Sequence, residues 1–191
     1  MSDLPKSVRI NEEGPREGFQ IEKGPIPTAR KIALIDSLSE TGLKQIQCVS
    51  YVNPKNVPGW ADAEAVTAGF KKRDDVSYTC LWLNDKGFER AMASGRYDMA
   101  GRISLTASET FVKRNQNRTL KENYDAQSAS IALYKSHGLP VEKASIMASF
   151  GCNFEGDMPT ERLLGFVAPV FEIAAAHALK IKTLSLADTM A

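Results

Sequence analysis

Six short apolar runs recur along the sequence, at 8–13, 45–50, 77–83, 99–105, 144–149 and 180–186. Most of these runs carry β-branched or large apolar residues, as strands do. Longer segments of helical period lie between them. Parallel strands cannot be joined by a tight turn and need a crossover, so this alternation reads as six successive βα units on a parallel sheet.

The helical segments have their own punctuation. In 28–40, Thr28 is placed to cap the helix, Ile32, Leu34, Ile35 and Leu38 form an apolar stripe, and Gly42 is placed to end it in a left-handed turn. Segments 62–70, 86–94, 120–136 and 160–178 read similarly, with Gly95 and Gly138 at helix ends and Pro140 just beyond. No Pro/Gly/Ser-rich linker or low-complexity tract divides the chain, so residues 1–191 are expected to form a single domain.

A chain of 191 residues, 43% hydrophobic and 25% charged, can bury a real core. Its 24 basic and 23 acidic residues leave a formal charge of +1, which gives no reason to expect nucleic acid or an anionic membrane as partner. Cys48, Cys80 and Cys152 are widely spaced, with no CxxC pair, and fit a reducing compartment. The opening MSDLPKSVRI has no apolar signal run, and no later stretch approaches the ~20 apolar residues of a membrane span. A cytoplasmic location is expected.

Six βα units fit either an open doubly wound sheet or a β/α barrel lacking two units. Length favours the open sheet. Against it, Gly14-Pro15-Arg16-Glu17-Gly18 lacks the glycine spacing of a dinucleotide loop, and no phosphate-binding GxxxxGK[ST] occurs. In a barrel the loops after the strands share one rim, so distant residues converge there. Polar groups follow five of the six runs: Arg16, Glu17 and Gln20; Ser50, Tyr51 and Asn53; Ser108 and Glu109; Cys152, Asn153 and Glu155; Asp188 and Thr189. In the Arg16-Glu17 pair, a carboxylate is suited to a hard divalent cation and a guanidinium to the charge that develops on a thioester oxygen. Taken alone, the pair fits a local ion pair in a Gly-Pro turn equally well.

The wider motif goes further. Glu13-Gly14-Pro15-Arg16-Glu17-Gly18-Phe19-Gln20 with Glu22-Lys23 resembles the first-strand signature of hydroxymethylglutaryl-CoA lyases. Ser50-Tyr51-Val52-Asn53-Pro54-Lys55, Ala107-Ser108-Glu109-Thr110-Phe111, Gly151-Cys152-Asn153-Phe154-Glu155-Gly156 and Ser185-Leu186-Ala187-Asp188-Thr189 resemble its later loops, in order. The resemblance implies an α/β fold of the TIM (β/α)8 type, of which this chain supplies about the first six units. Strands seven and eight are expected on a longer polypeptide. It also implies a metal-dependent cleavage of a carbon-carbon bond in 3-hydroxy-3-methylglutaryl-CoA or a related β-hydroxyacyl-CoA, through an enolate, with Mg²⁺ or Mn²⁺ as cofactor, an acyl-CoA substrate and a homodimeric assembly. On that basis Arg16, Gln20, Gln47 and Asp188 are catalytic candidates. Lys23, Ser50, Glu109, Lys143 and Thr189 are substrate-binding candidates, and Glu17 is the metal ligand.

Four positions depart from the family pattern: Glu17 stands for aspartate, Gln47 for glutamate, Lys143 for arginine and Trp60 for a smaller apolar residue. Glutamine cannot act as a base, and Trp60 is expected to narrow or reshape the site's mouth. The family's His-x-His pair, its asparagine ligand and its cysteine-bearing lid loop have no counterpart. His137 and His177 sit at predicted helix ends, where capping is the simpler role. Two alternatives stay open: a Claisen condensing enzyme of the isopropylmalate or homocitrate synthase kind, and a non-catalytic CoA-binding homologue.

Overall fold

Helices and strands follow the apolar spacing closely from residue 28 onward, less so before it. The computed structural model describes residues 4–190 and divides the chain into two units, 1–99 and 100–191. In the first unit come α1 (Gly14–Ile21), α2 (Thr28–Ser39), β1 (Gln45–Ser50), a 3-10 turn (Pro58–Trp60), α3 (Ala63–Gly69), β2 (Ser77–Leu81) and α4 (Asp85–Ser94). β1 and β2 pair in parallel, from Gln45 beside Ser77 to Ser50 beside Leu81, with a register shift between Gln47 and Val49. α1, α2 and α3 pack on β1. Ile35, Ile46, Val49, Val66, Phe70 and Tyr78 are among the buried residues of this core. Each such side chain removed from water contributes about 1.5–3 kcal/mol.

Thr67 ties that core together through one hydroxyl. It donates to Ala63 O at 2.7 Å, so its oxygen must accept from both neighbouring phenols, Tyr51 at 2.8 Å and Tyr97 at 2.6 Å. Burial pushes both phenols above their ordinary pKa, which keeps them protonated donors.

The second unit contains β3 (Gly101–Thr106), α5 (Glu109–Gln116), α6 (Leu120–Ser136), β4 (Val141–Met147), the short hairpin β5 (Gly151–Cys152) and β6 (Gly156–Asp157), α7 (Thr160–Ala176) and β7 (Thr183–Leu186). β3, β4 and β7 form a parallel sheet in that order. Ile103, Val112, Ile131, Ile146 and Val170 are fully buried in this unit. A capping box of Thr119 and Glu122 opens α6, and Gly138 at φ 67° follows its end. Among the described residues no helix is long and apolar enough to cross a membrane.

Three expectations change. The run at 8–13 is not a strand: only Glu12 bridges, in parallel, to Ile46, while Val8 and Ile10 stay exposed. With Val8 and Ile10 exposed, the run gains no packing that would reward its strand propensity. Thr28 does not cap α2; Pro27 occupies the cap position and the Thr28 hydroxyl donates to Asp62 instead, at 2.7 Å. The stretch after β3 is a helix, α5, rather than an open loop, because Ser108 caps it by accepting from Phe111 N at 3.1 Å.

Candidate active site

In the first unit the site is built around Arg16. Pro15 pre-sets the first turn of α1, which needs no amide there, and one residue later Arg16 leaves the helix toward β1. Its Nε donates to Gln47 Oε1 at 2.5 Å, its Nη2 lies 2.8 Å from Glu13 Oε2, and its Nη1 bonds to Glu17 Oε2. The Arg16 side chain is 14% exposed, against 49% for Glu13 and 53% for Glu17. A guanidinium carries five N–H groups, so three are engaged here and two remain for another acceptor.

Gln47, itself buried, can accept from Arg16 but brings no charge. The second carboxylate on this arginine, Glu13, was legible only as an i, i+3 spacing with Arg16. Ser50 Oγ and Gln20 Oε1 are buried without a hydrogen-bond partner among the described residues. An orphaned buried oxygen is costly, and both belong to residues that the sequence marks for chemistry. Lys23 is exposed in the loop after α1. Trp60 does not narrow a mouth: it is fully buried and its Nε1 donates to Arg16 O at 3.0 Å, because its indole turns inward onto α1.

In the second unit Asp188 and Thr189 follow β7. Asp188 lines an open pocket of about 470 Å³ together with Phe150, Cys152, Phe154, Asp157 and Met190. The Thr189 hydroxyl accepts from Ala148 N at 2.8 Å and so ties the segment after β7 to the left-handed residue after β4, where Ala148 has φ 54°. Glu109 is exposed in the first turn of α5. Lys143 pairs with Thr183, five residues before Asp188, which is about 16 Å along the strand direction. The structure does not bring Lys143 to this pocket.

Beside the pocket lies a polar knot that the sequence reading did not assemble. Ser108 Oγ donates to Glu155 Oε1 at 2.9 Å, Thr110 N donates to the same oxygen at 2.6 Å, and Arg162 pairs with Glu155 Oε2 at 3.1 Å. Burial raises the Glu155 carboxyl, but these bonds outweigh it and hold the group below its usual range. Cys152 Sγ lies 3.1 Å from Ser108 Oγ. Because the single Ser108 proton goes to the carboxylate, the thiol is the donor in that contact. The Arg114 guanidinium stacks on the Phe154 ring, 4.2 Å from its centroid.

The two histidines follow the sequence. Cys48 and Cys80 are buried in strands, and His137 and His177 are the cap residues of α6 and α7. Among the described residues no group of three or more His, Cys, Asp or Glu could hold a metal ion, and Glu17, the carboxylate expected to bind one, is engaged by Arg16. A cation site is therefore not complete on the described residues.

Comparison with known proteins matches the family model described as HMGL-like over residues 7–191. The chain belongs to the HMGL-like family. It is 36% identical over 187 residues to a zebrafish (Danio rerio) protein named 3-hydroxy-3-methylglutaryl-CoA lyase, cytoplasmic, covering 98% of this chain and 53% of the relative. The solved HMG-CoA lyase of Bacillus subtilis superposes with a TM-score of 0.81 at 34% identity, covering 96% of this chain and 59% of that one. An Acinetobacter baumannii HMG-CoA lyase, solved in complex with coenzyme A and 3-methylmalate, superposes with a TM-score of 0.79 at 28% identity, covering 98% and 58%. The chain spans about half the length of the curated relative it matches. The α/β fold of the TIM-barrel type expected from the sequence is the fold of this family, and the chain covers about 60% of such a structure.

Proposed function

We propose that this chain contributes to a carbon-carbon lyase acting on 3-hydroxy-3-methylglutaryl-CoA or a closely related β-hydroxyacyl-CoA. The observation that carries the proposal is the Arg16 guanidinium, held on three sides by Gln47, Glu13 and Glu17 with two N–H groups left over. A planar donor fixed in place before the reaction is what a developing enolate oxygen requires, since its reorganisation cost is already met by the fold. Coenzyme A on a solved relative agrees with a thioester substrate.

In this reading Arg16 steadies the enolate oxygen, and Gln47 fixes the plane of its guanidinium. Asp188 accepts the proton of the substrate hydroxyl, which lies β to the thioester. The electron pair of the broken bond passes to the thioester carbonyl, giving an acyl-CoA enolate and a ketone. Gln20 and Ser50, whose buried oxygens lack partners among the described residues, bond to substrate. Lys23, Glu109 and Thr189 are further substrate-contact candidates, and Lys143 lies away from the Asp188 pocket.

A divalent cation, Mg²⁺ or Mn²⁺, would supply Lewis-acid polarisation of the substrate oxygens, with Glu17 as a ligand. We also propose that residues 1–191 belong to one barrel domain, and that the protein is cytoplasmic and homodimeric. The test is incubation of the full-length polypeptide with Mg²⁺ or Mn²⁺ and 3-hydroxy-3-methylglutaryl-CoA. Acetoacetate and acetyl-CoA are the expected products. Absence of both with either metal would remove this substrate.

A further inference from the structure

We propose that Trp60 is a positioning residue for Arg16, acting through the main chain of α1 rather than on substrate. The proposal rests on the reading of Arg16 given above. Arg16 is useful only if its guanidinium stays in the plane that reaches Gln47, and a side chain can be no better placed than the backbone that carries it. α1 is only eight residues long and lacks a side-chain cap at its start. It therefore depends on its neighbours for a fixed position.

The 3-10 turn supplies that constraint at two points. The indole Nε1 of Trp60 donates to Arg16 O at 3.0 Å. In a helix that carbonyl serves the amide four residues on, and its second lone pair is free to accept the indole. At the neighbouring position, a Cβ on Gly59 would lie 2.5 Å from Phe19 O, so the close approach of turn to helix requires glycine. The indole also meets the Phe19 ring edge-on, with centroids 5.9 Å apart.

α2 holds the other side of the turn. Lys31, 3% exposed, donates to Gly59 O and to Asp62 Oδ1 at 2.6 Å, and its Nζ lies 4.9 Å from the Trp60 ring. The Thr28 hydroxyl donates to the other Asp62 oxygen. An unbroken series of contacts thus runs from α2 through Lys31 and Trp60 to the Arg16 carbonyl, and from the Arg16 guanidinium to Gln47 on β1. Trp60 makes the link that sets where α1 sits when Arg16 reaches the strand.

The experiment replaces only the N–H. The full-length polypeptide is prepared with benzothienylalanine, a tryptophan isostere that lacks the indole N–H, at position 60, and in parallel as Trp60→Phe. Phenylglyoxal modification of each arginine is followed peptide by peptide. Loss of one hydrogen bond is expected to raise the rate at Arg16 about 3- to 10-fold, with Arg9 and Arg162 unchanged. In the lyase assay kcat is expected to fall by a similar factor with KM unchanged. An unchanged Arg16 rate, or a rise shared by every arginine, would assign Trp60 to packing alone and overturn the proposal. A protein inactive in all forms ends the functional reading but leaves the labelling result to decide the positioning role.

Discussion

Replacing Arg16 by lysine keeps the positive charge and removes the planar fork. Arg16 now gives three N–H groups to Gln47, Glu13 and Glu17 and keeps two. Lysine has three N–H groups on one atom, so if it meets Gln47 and one carboxylate, a single donor is left for an oxyanion. Loss of a preorganised oxyanion donor costs about 10²- to 10³-fold in kcat. The stability cost is smaller. Glu13 and Glu17 are 49% and 53% exposed, so screening limits each pair to about 0–1 kcal/mol. If lysine cannot reach it, the buried Gln47 oxygen adds about 1–3 kcal/mol. Arg16→Lys should therefore remain folded by urea denaturation while acetoacetate release at saturating thioester and metal drops at least 100-fold. A kcat within about threefold of the parent in a folded variant would refute the role given to the guanidinium.

Thr67→Val leaves the Tyr51 and Tyr97 hydroxyls without their acceptor and should cost about 2–5 kcal/mol in urea denaturation. The triple variant Tyr51→Phe, Thr67→Val, Tyr97→Phe should recover much of it, and no recovery would disprove the shared-acceptor reading. Glu155 has a lowered folded pKa, so its stabilisation is complete above the unfolded value of about 4.3 and is lost as pH falls through the folded one. Glu155→Gln should lower stability at pH 7 and flatten its fall on acidification below about pH 5, as read by denaturation at several pH values; an unchanged acid limb would contradict the assignment. Glu17→Gln in the full-length polypeptide should abolish Mn²⁺ binding by calorimetry at concentrations that saturate the parent, and retained binding would exclude Glu17 as a ligand.

Much of the candidate site was legible because its chemistry is packed into short contiguous motifs. Arg16 and Glu17 are adjacent, and Asp188 with Thr189 directly follows an apolar run. The Glu155 knot was not legible, because Ser108, Glu155 and Arg162 come from three separate segments and only folding brings them together. Trp60 was misplaced for a related reason: a large aromatic in a loop sequence reads as a wall, and its inward orientation depends on α1 offering a carbonyl and α2 offering Lys31.

The sequence by itself determined the alternation of helices and strands, their parallel sense, the helix-ending glycines and the family, since each is set by local spacing and dihedral preference. Tertiary structure alone decided that 8–13 would contribute a single bridge, that Thr28 would bond Asp62 rather than cap α2, and that Arg16 would share its donors among three acceptors. Propensity states what a segment can do; which acceptor a donor meets is settled by whatever surface the rest of the chain brings within hydrogen-bonding distance.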